Sequence, residues 1–198
     1  MKKAIVFDFG HVISNFEPDV FVHKFNPQTI SHEQFKQVVF SNWEALDAGE
    51  MDIEEHLDYC FRHTPIVSHK EIQDFFNAWP GYFVYNRPIY NLIKELETRD
   101  VRLLLLSNAP SFFETILEQF EILQSFEGYV ISGVEKVMKP DPRIYQILLE
   151  RFDLNPQSTL FIDDLLVNVE AARQLGITAV QYTGDTQAVY EWLERNVG

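Results

Sequence analysis

The sequence predicts an α/β protein: a doubly wound parallel sheet with an all-helical insertion after its first strand. Three observations predict it. Short apolar runs alternate with helix-like segments through most of the 198 residues. The runs suit strands buried on both faces and are too short for free-standing helices. One stretch, residues 15–85, breaks the alternation and holds no convincing strand.

Residues 4–7 form the first expected strand, followed by polar and glycine punctuation. In the insertion, Ser31 with Glu33 and Gln34 behind it opens one helix. Asp52 with Glu55 opens another in the manner of a capping box. Ser68 precedes Glu71, and Phe75, Phe76 and Trp79 share a face. Three or four helices are expected here. The insertion holds 14 of the 28 aromatic residues, as a small bundle filling its core with large side chains would. The alternative is that one or two of them line a substrate pocket. Next come a helix over 89–97 and a strand over 101–106, five of whose six residues are apolar. A helix over 112–120, a strand over 128–131 and a helix over 142–151 follow. The chain ends with a strand over 159–162, a helix over 167–175 capped by Gly176, a strand over 178–182 and a helix over 187–196. Strand–helix alternation of this kind means a parallel sheet covered on both faces. Residues 1–14 and 86–198 then make the α/β core, and 15–85 the helical insertion.

Hydrophobic residues at 46% and charged residues at 23% are ordinary for a globular chain and exclude wholesale disorder. Cys60 is the single cysteine, which excludes an intramolecular disulfide and a zinc-type cysteine cluster; its apolar helical surroundings suit a buried small hydrophobe. No apolar run approaches the roughly 20 residues of a membrane span. The opening MKKAIVFDFG has too short an apolar run for a signal peptide, so a cytoplasmic protein is expected. The net charge of −14 repels a phosphate polymer, so no nucleic-acid partner is expected. Residues 15–85 alone hold 4 basic and 12 acidic residues. Any bound anion must therefore meet locally placed donors.

In a doubly wound sheet, ligands bind beyond the carboxyl ends of the strands. Asp8 follows the first strand, Ser107 and Asn108 the second, and Asp163 and Asp164 the fourth, while a later loop carries Lys139. Each has a plainer use: a lone Asp caps turns, Ser-Asn and Lys-Pro are common loop pairs, and an acidic pair suits a helix N-terminus. Their joint occurrence fits phosphoryl chemistry. A serine hydroxyl, main-chain N–H groups and a lysine hold phosphate oxygens. Several carboxylates around the same anion need a cation between, and Mg²⁺ takes oxygen ligands of this kind. One aspartate can then attack phosphorus.

The sequence resembles the haloacid dehalogenase-like hydrolase superfamily along nearly its whole length. FDFGHV is similar to its nucleophile motif, LLLSN to its phosphate-binding motif, KPDPRIY to its lysine motif and FIDDLLVNVEAARQLGI to its acidic motif. The insertion lies where the helical-cap branch carries its cap. The D-x-G-x-V form and the Gly49-Glu50 element resemble a group that includes a bacterial glucose-1-phosphatase. The resemblance implies Asp8 as nucleophile and metal ligand, the Gly10 carbonyl as a second ligand and Asp164 as a direct ligand. It implies Asp163 as a ligand directly or through water, and Asn168 as a group orienting those carboxylates. Ser107, Asn108 and Lys139 would hold phosphate, with Mg²⁺ as cofactor and a small phosphate ester as substrate. One departure stands out. Most phosphatases of the superfamily carry a second Asp two residues after the nucleophile, as acid and base, and here that position is Gly10. Solvent or substrate could move the proton in a slower enzyme, His11 could substitute, or turnover could be lost.

The expected function is a Mg²⁺-dependent phosphatase of a small phosphorylated metabolite. Glu44, Asp47 and Glu50 on cap loops would meet the non-phosphate part, which suits sugar hydroxyls. A metal-independent haloacid dehalogenase and a non-catalytic binding or regulatory protein of the same fold are the alternatives. The other histidines, all in the insertion, read as surface or cap-core residues. Monomer and homodimer are both compatible with the sequence.

Overall fold

The computed structural model describes residues 2–197. The chain starts in β1 (Lys3–Phe7) and crosses into the insertion through β2 (Ser14–Asn15). Five helices follow: α1 (Pro18–Phe25), α2 (His32–Val39), α3 (Trp43–Asp47), α4 (Ile53–His63) and α5 (His69–Asn77). A 3₁₀ turn at Trp79–Tyr82 leads into β3 (Val84–Tyr85). Here β3 pairs antiparallel with β2, Ser14 opposite Tyr85, which clasps the two ends of the insertion together. The Ser14 hydroxyl donates to the Val84 carbonyl at 3.0 Å, and Asn86 N–H donates to the Ile13 carbonyl at 2.9 Å. The insertion is therefore bounded by two short strand pieces, Ser14–Asn15 and Val84–Tyr85, that the apolar pattern does not show, because a two-residue ladder has no periodicity.

The helix starts follow from side-chain capping. Ser31 accepts from Gln34 N–H at 3.3 Å, Asp52 from Glu55 N–H at 2.9 Å and Ser68 from Glu71 N–H at 3.1 Å. In the first two, the Gln or Glu side chain reaches back to the cap N–H, a full capping box. Phe35, Phe75, Trp79 and Cys60 pack in the bundle core, and His56 is buried beside Cys60.

After the insertion come α6 (Arg87–Leu96), β4 (Val101–Ser107) and β5 (Gly128–Ile131). The next elements are α7 (Ser132–Glu135), α8 (Pro142–Arg151), β6 (Thr159–Asp163), α9 (Leu166–Gln174), β7 (Thr178–Gln181) and α10 (Gln187–Asn196). Gly176 ends α9 at φ +81°, a backbone angle that glycine adopts without a Cβ penalty. Two expectations about helices change: the insertion holds five where three or four are expected, because α1 and α3 are too short to show a period. The helix expected over 112–120 is 3₁₀ over Ser111–Gln119, with i→i+3 bonds such as Phe113 N–H to the Pro110 carbonyl. Apolar residues three and four apart fit either winding, so the sequence does not separate the two.

The main sheet runs β5-β4-β1-β6-β7, with every paired neighbour parallel. Alternate residues of β1 serve opposite faces. Ile5 and Phe7 pack with Leu92 and Ile93 of α6 and Trp192 of α10. Ala4 and Val6 pack with Ile144 and Leu148 of α8 and Val169 of α9. Burial on both faces explains the unbroken apolar runs, each large side chain contributing about 1.5–3 kcal/mol. Because the strands are parallel, β1, β4 and β6 all finish on one edge, beneath the insertion.

Candidate active site

Asp8 follows β1, Ser107 ends β4 and Asp163 ends β6. Asp8 N–H donates to the Ile162 carbonyl at 2.9 Å, which continues the β1–β6 ladder and fixes the first carboxylate against the acidic pair. Lys139 comes from the loop before α8 and is buried. Its ammonium donates to the Leu106 carbonyl at 3.0 Å and lies 2.8 Å from Asp8 Oδ1 and 2.7 Å from Asp163 Oδ2. The residues the sequence brings forward, spread over 160 positions of chain, thus meet at one edge of the sheet.

The acidic pair divides its labour. Asp163 is fully buried: Oδ1 accepts from Leu165 N–H at 2.8 Å, and both of its oxygens accept from the Asn168 amide, at 2.9 and 3.1 Å. Asn168 is anchored in turn where the Tyr145 hydroxyl donates to its carbonyl at 2.9 Å. Asp164, by contrast, faces the cavity with Asp8. Asn108 also has a second task beside the cavity it lines. Its amide donates to the Lys139 carbonyl at 2.9 Å, and its Oδ1 accepts from Lys139 N–H at 2.8 Å. Both ends of that side chain hold the lysine loop, so the amide positions Lys139.

Burial pushes the Asp8 carboxyl above its usual range; Lys139 opposes this, and Asp163 and Asp164 add to it. Burial alone would push the Lys139 ammonium down, but Asp8 and Asp163 together hold it up. Asp164 is raised by burial and by Asp163, while His11 pulls it back. Asp8, Asp163 and Asp164 each offer an oxygen within 4.8 Å of the others. With Lys139 the only cation among them in this cluster, three ionised carboxylates leave negative charge uncompensated. Hard oxygen donors with excess negative charge fit Mg²⁺.

The cavity above these groups measures about 390 Å³. Its floor holds Asp8, Gly10, Ser107, Asn108, Lys139 and Asp164, and its walls are Phe16, Trp43, Trp79, Phe83, Phe112 and Phe113. Four of those six aromatics come from the insertion, so the aromatic residues there both fill the bundle core and line the cavity. Of the three acidic cap residues expected at the substrate, Asp47 lines this cavity, whereas Glu50 lines a separate depression beside Lys136 and Arg143. Gly10 has open space where a Cβ would stand. His11 sits exposed on the rim in the left-handed region, at φ 55°. Sequence reasoning missed Ser132, whose hydroxyl accepts from Ala109 N–H at 2.9 Å and donates to the Asp47 carbonyl at 2.6 Å. The signal was present: Ser132 follows an expected strand, as Asp8, Ser107 and Asp163 do.

A family model described as haloacid dehalogenase-like hydrolase matches residues 2–176. The chain belongs to this family. This haloacid dehalogenase-like hydrolase is similar to a sesquiterpene phosphatase of Aspergillus oryzae, 26% identical over 201 residues, which cover 99% of this chain and 97% of that protein. A phosphoglycolate phosphatase of Pseudomonas putida is 26% identical over 96 residues, 48% of this chain and 35% of its own. Among solved structures, an enzyme of the family from Bacteroides thetaiotaomicron, in complex with magnesium and inorganic phosphate, matches with a TM-score of 0.75. It is 22% identical and the match covers 96% of this chain and 100% of that one, a likeness of fold. Among the described residues, no helix is long and apolar enough to cross a membrane.

Proposed function

We propose that this hydrolase is a Mg²⁺-dependent phosphatase acting on the monophosphate of a small, largely apolar alcohol through an aspartyl-phosphate on Asp8. The observation that carries the reading is the cavity itself: a floor of carboxylates, one hydroxyl and one ammonium beneath aromatic walls. Asp8 attacks phosphorus as the bond to the leaving alcohol breaks. Water then attacks phosphorus, and Asp8 departs with its carboxylate restored. The Ser107 hydroxyl and the Lys139 ammonium hold phosphate oxygens in both steps. Asp163, Asn168 and the Asn108 amide keep Lys139 in place. Asp8, the Gly10 carbonyl and Asp164 would hold Mg²⁺, with Asp163 beside them. The ion, when bound, supplies positive charge that lets two anions approach and draws electrons from phosphorus. The insertion covers the floor and excludes water from the first transfer.

The acidic cap residues taken alone suit a sugar phosphate. The aromatic walls favour an apolar group instead, and the name of the Aspergillus oryzae relative points the same way. The dehalogenase reading lacks support in the same geometry, because Asp164 beside Asp8 would repel an anionic substrate with no cation between them. A panel of a prenyl monophosphate, a hexose phosphate and phosphoglycolate, each with and without Mg²⁺, tests the proposal. The expected result is Mg²⁺-dependent phosphate release with kcat/KM about 10-fold or more higher for the prenyl ester, the discrimination a few buried methylenes give. No release from any ester, or a preference for the hexose, contradicts it.

A further inference from the structure

An alcohol leaves poorly as an alkoxide, so transfer of its phosphoryl group to Asp8 calls for a proton at the ester oxygen. Gly10 has no side chain to give one. We propose that Asp47, at the C-terminal end of α3, is the acid and base of this site, a carboxyl delivered from the helical insertion. The inference rests on the phosphatase reading above and adds a residue to it.

Asp47 lines the same cavity as Asp8, and it is the one acidic side chain of the insertion that does so. Its Oδ1 is sealed from solvent and has no hydrogen-bond partner among the described residues. A buried carboxyl oxygen left unpaired is costly, and the cost is smaller for the neutral, protonated carboxyl than for the carboxylate. Burial, with the negative charges of Asp8 and Glu44 adding to it, pushes the Asp47 carboxyl up to about 7. Near neutrality the group is therefore present in both forms, as a residue that gives and then takes a proton requires.

The position of Asp47 is set by the core. The Ser132 hydroxyl holds its carbonyl at 2.6 Å. Two residues on, Gly49 sits at φ +67°, and a Cβ there would stand 2.4 Å from the Gly133 carbonyl oxygen. A Cβ on Gly133 would in turn stand 2.4 Å from Ser111 N. Three segments thus meet main chain to main chain, and the last, at Ser111, lies four residues beyond Ser107 at the end of β4. The end of α3 is seated on Gly133 of α7, and Gly133 on the segment that follows β4. His11, the other candidate, is exposed, and it acts electrostatically on Asp164.

The proton balance closes. As the Asp8 oxygen bonds to phosphorus, the ester bond breaks and its electron pair stays on the alcohol oxygen, which takes the proton of Asp47. The Asp47 carboxylate then takes a proton from the water that attacks phosphorus, the bond to Asp8 breaks, and Asp47 is again protonated.

The test is first-turnover release of the alcohol by rapid quench, with Mg²⁺ present, from a prenyl monophosphate and from p-nitrophenyl phosphate. Nitrophenolate leaves without a proton. Asp47→Asn keeps the shape and the main-chain contacts, and its circular dichroism confirms the fold. The expected loss is about 10²–10⁴-fold on the prenyl ester and at least about tenfold smaller on the nitrophenyl ester. Equal losses on both esters, no loss on the prenyl ester, or a leaving-group-dependent loss caused by His11→Ala instead would overturn the assignment. Absence of turnover in the unmodified enzyme on both esters would refute the phosphatase reading itself, a distinct result.

Discussion

Lys139 is the residue on which the charge balance of the floor depends. It is the partner of Asp8 and of Asp163, both buried. Lys139→Ala leaves two buried carboxylates without their counter-charge, and the expected cost at pH 8 is about 3–5 kcal/mol in urea unfolding. An unchanged midpoint at pH 8 would show that the pair is not formed. Asp47 gives a second pH signature. Its folded value of about 7 lies above the ordinary 3.8 of an aspartate, so the folded chain holds that proton more tightly than the unfolded one. The stability this contributes is complete below pH 4 and is lost as pH rises through 7. The melting temperature of the native protein minus that of Asp47→Asn should therefore fall between pH 4 and 8, without added metal. A difference that is flat or rising contradicts a raised Asp47. Asp8, Ser107, Asp163 and Asp164 were legible in the sequence because each follows an apolar run. Asp47 was legible only as a cap residue, since nothing in the chain order brings a helix end 39 positions away over Asp8. The Asn108 amide, spent on Lys139, was equally hidden, because an Asn after a strand suits a ligand and a loop alike.

At the scale of elements, the helix starts at Ser31, Asp52 and Ser68 could be read directly, since a cap is a local bond over three residues. The main-sheet strands could be read because burial on both faces leaves unbroken apolar runs. α1 and the five-residue α3 could not: both are short and take their form from packing in the bundle. The Gly49 turn after α3 is where local form and function meet. Gly49→Ala meets both a positive φ and the Gly133 carbonyl. It is expected to destabilise the protein by about 1–3 kcal/mol and to lower kcat/KM by shifting the end of α3. Thermal unfolding and steady-state kinetics check this. A variant with native stability and native kinetics would mean that the end of α3 is not seated on Gly133.

At the scale of the molecule, the doubly wound topology was legible from strand–helix alternation alone, and the insertion from the interruption of that alternation. What the insertion binds was not. Trp79 is 1% exposed and packs in the bundle, yet it also walls the cavity, and no periodicity distinguishes these two uses of one ring. If Mg²⁺ binds at this floor as proposed, the excess negative charge there makes it a stabilising ligand. Titration with Mg²⁺ should raise the melting temperature with saturation, and Asp164→Asn should abolish the rise. A shift that survives in Asp164→Asn would place the ion elsewhere. The central claim is that phosphorus is passed to Asp8. Acid-quenching the enzyme during turnover of a reactive phosphate ester, followed by peptide mass mapping, measures it most directly. The account predicts a hydroxylamine-sensitive phosphoryl adduct on the peptide holding Asp8, absent in Asp8→Asn. Phosphate release with no adduct, or with the adduct on another residue, would contradict it.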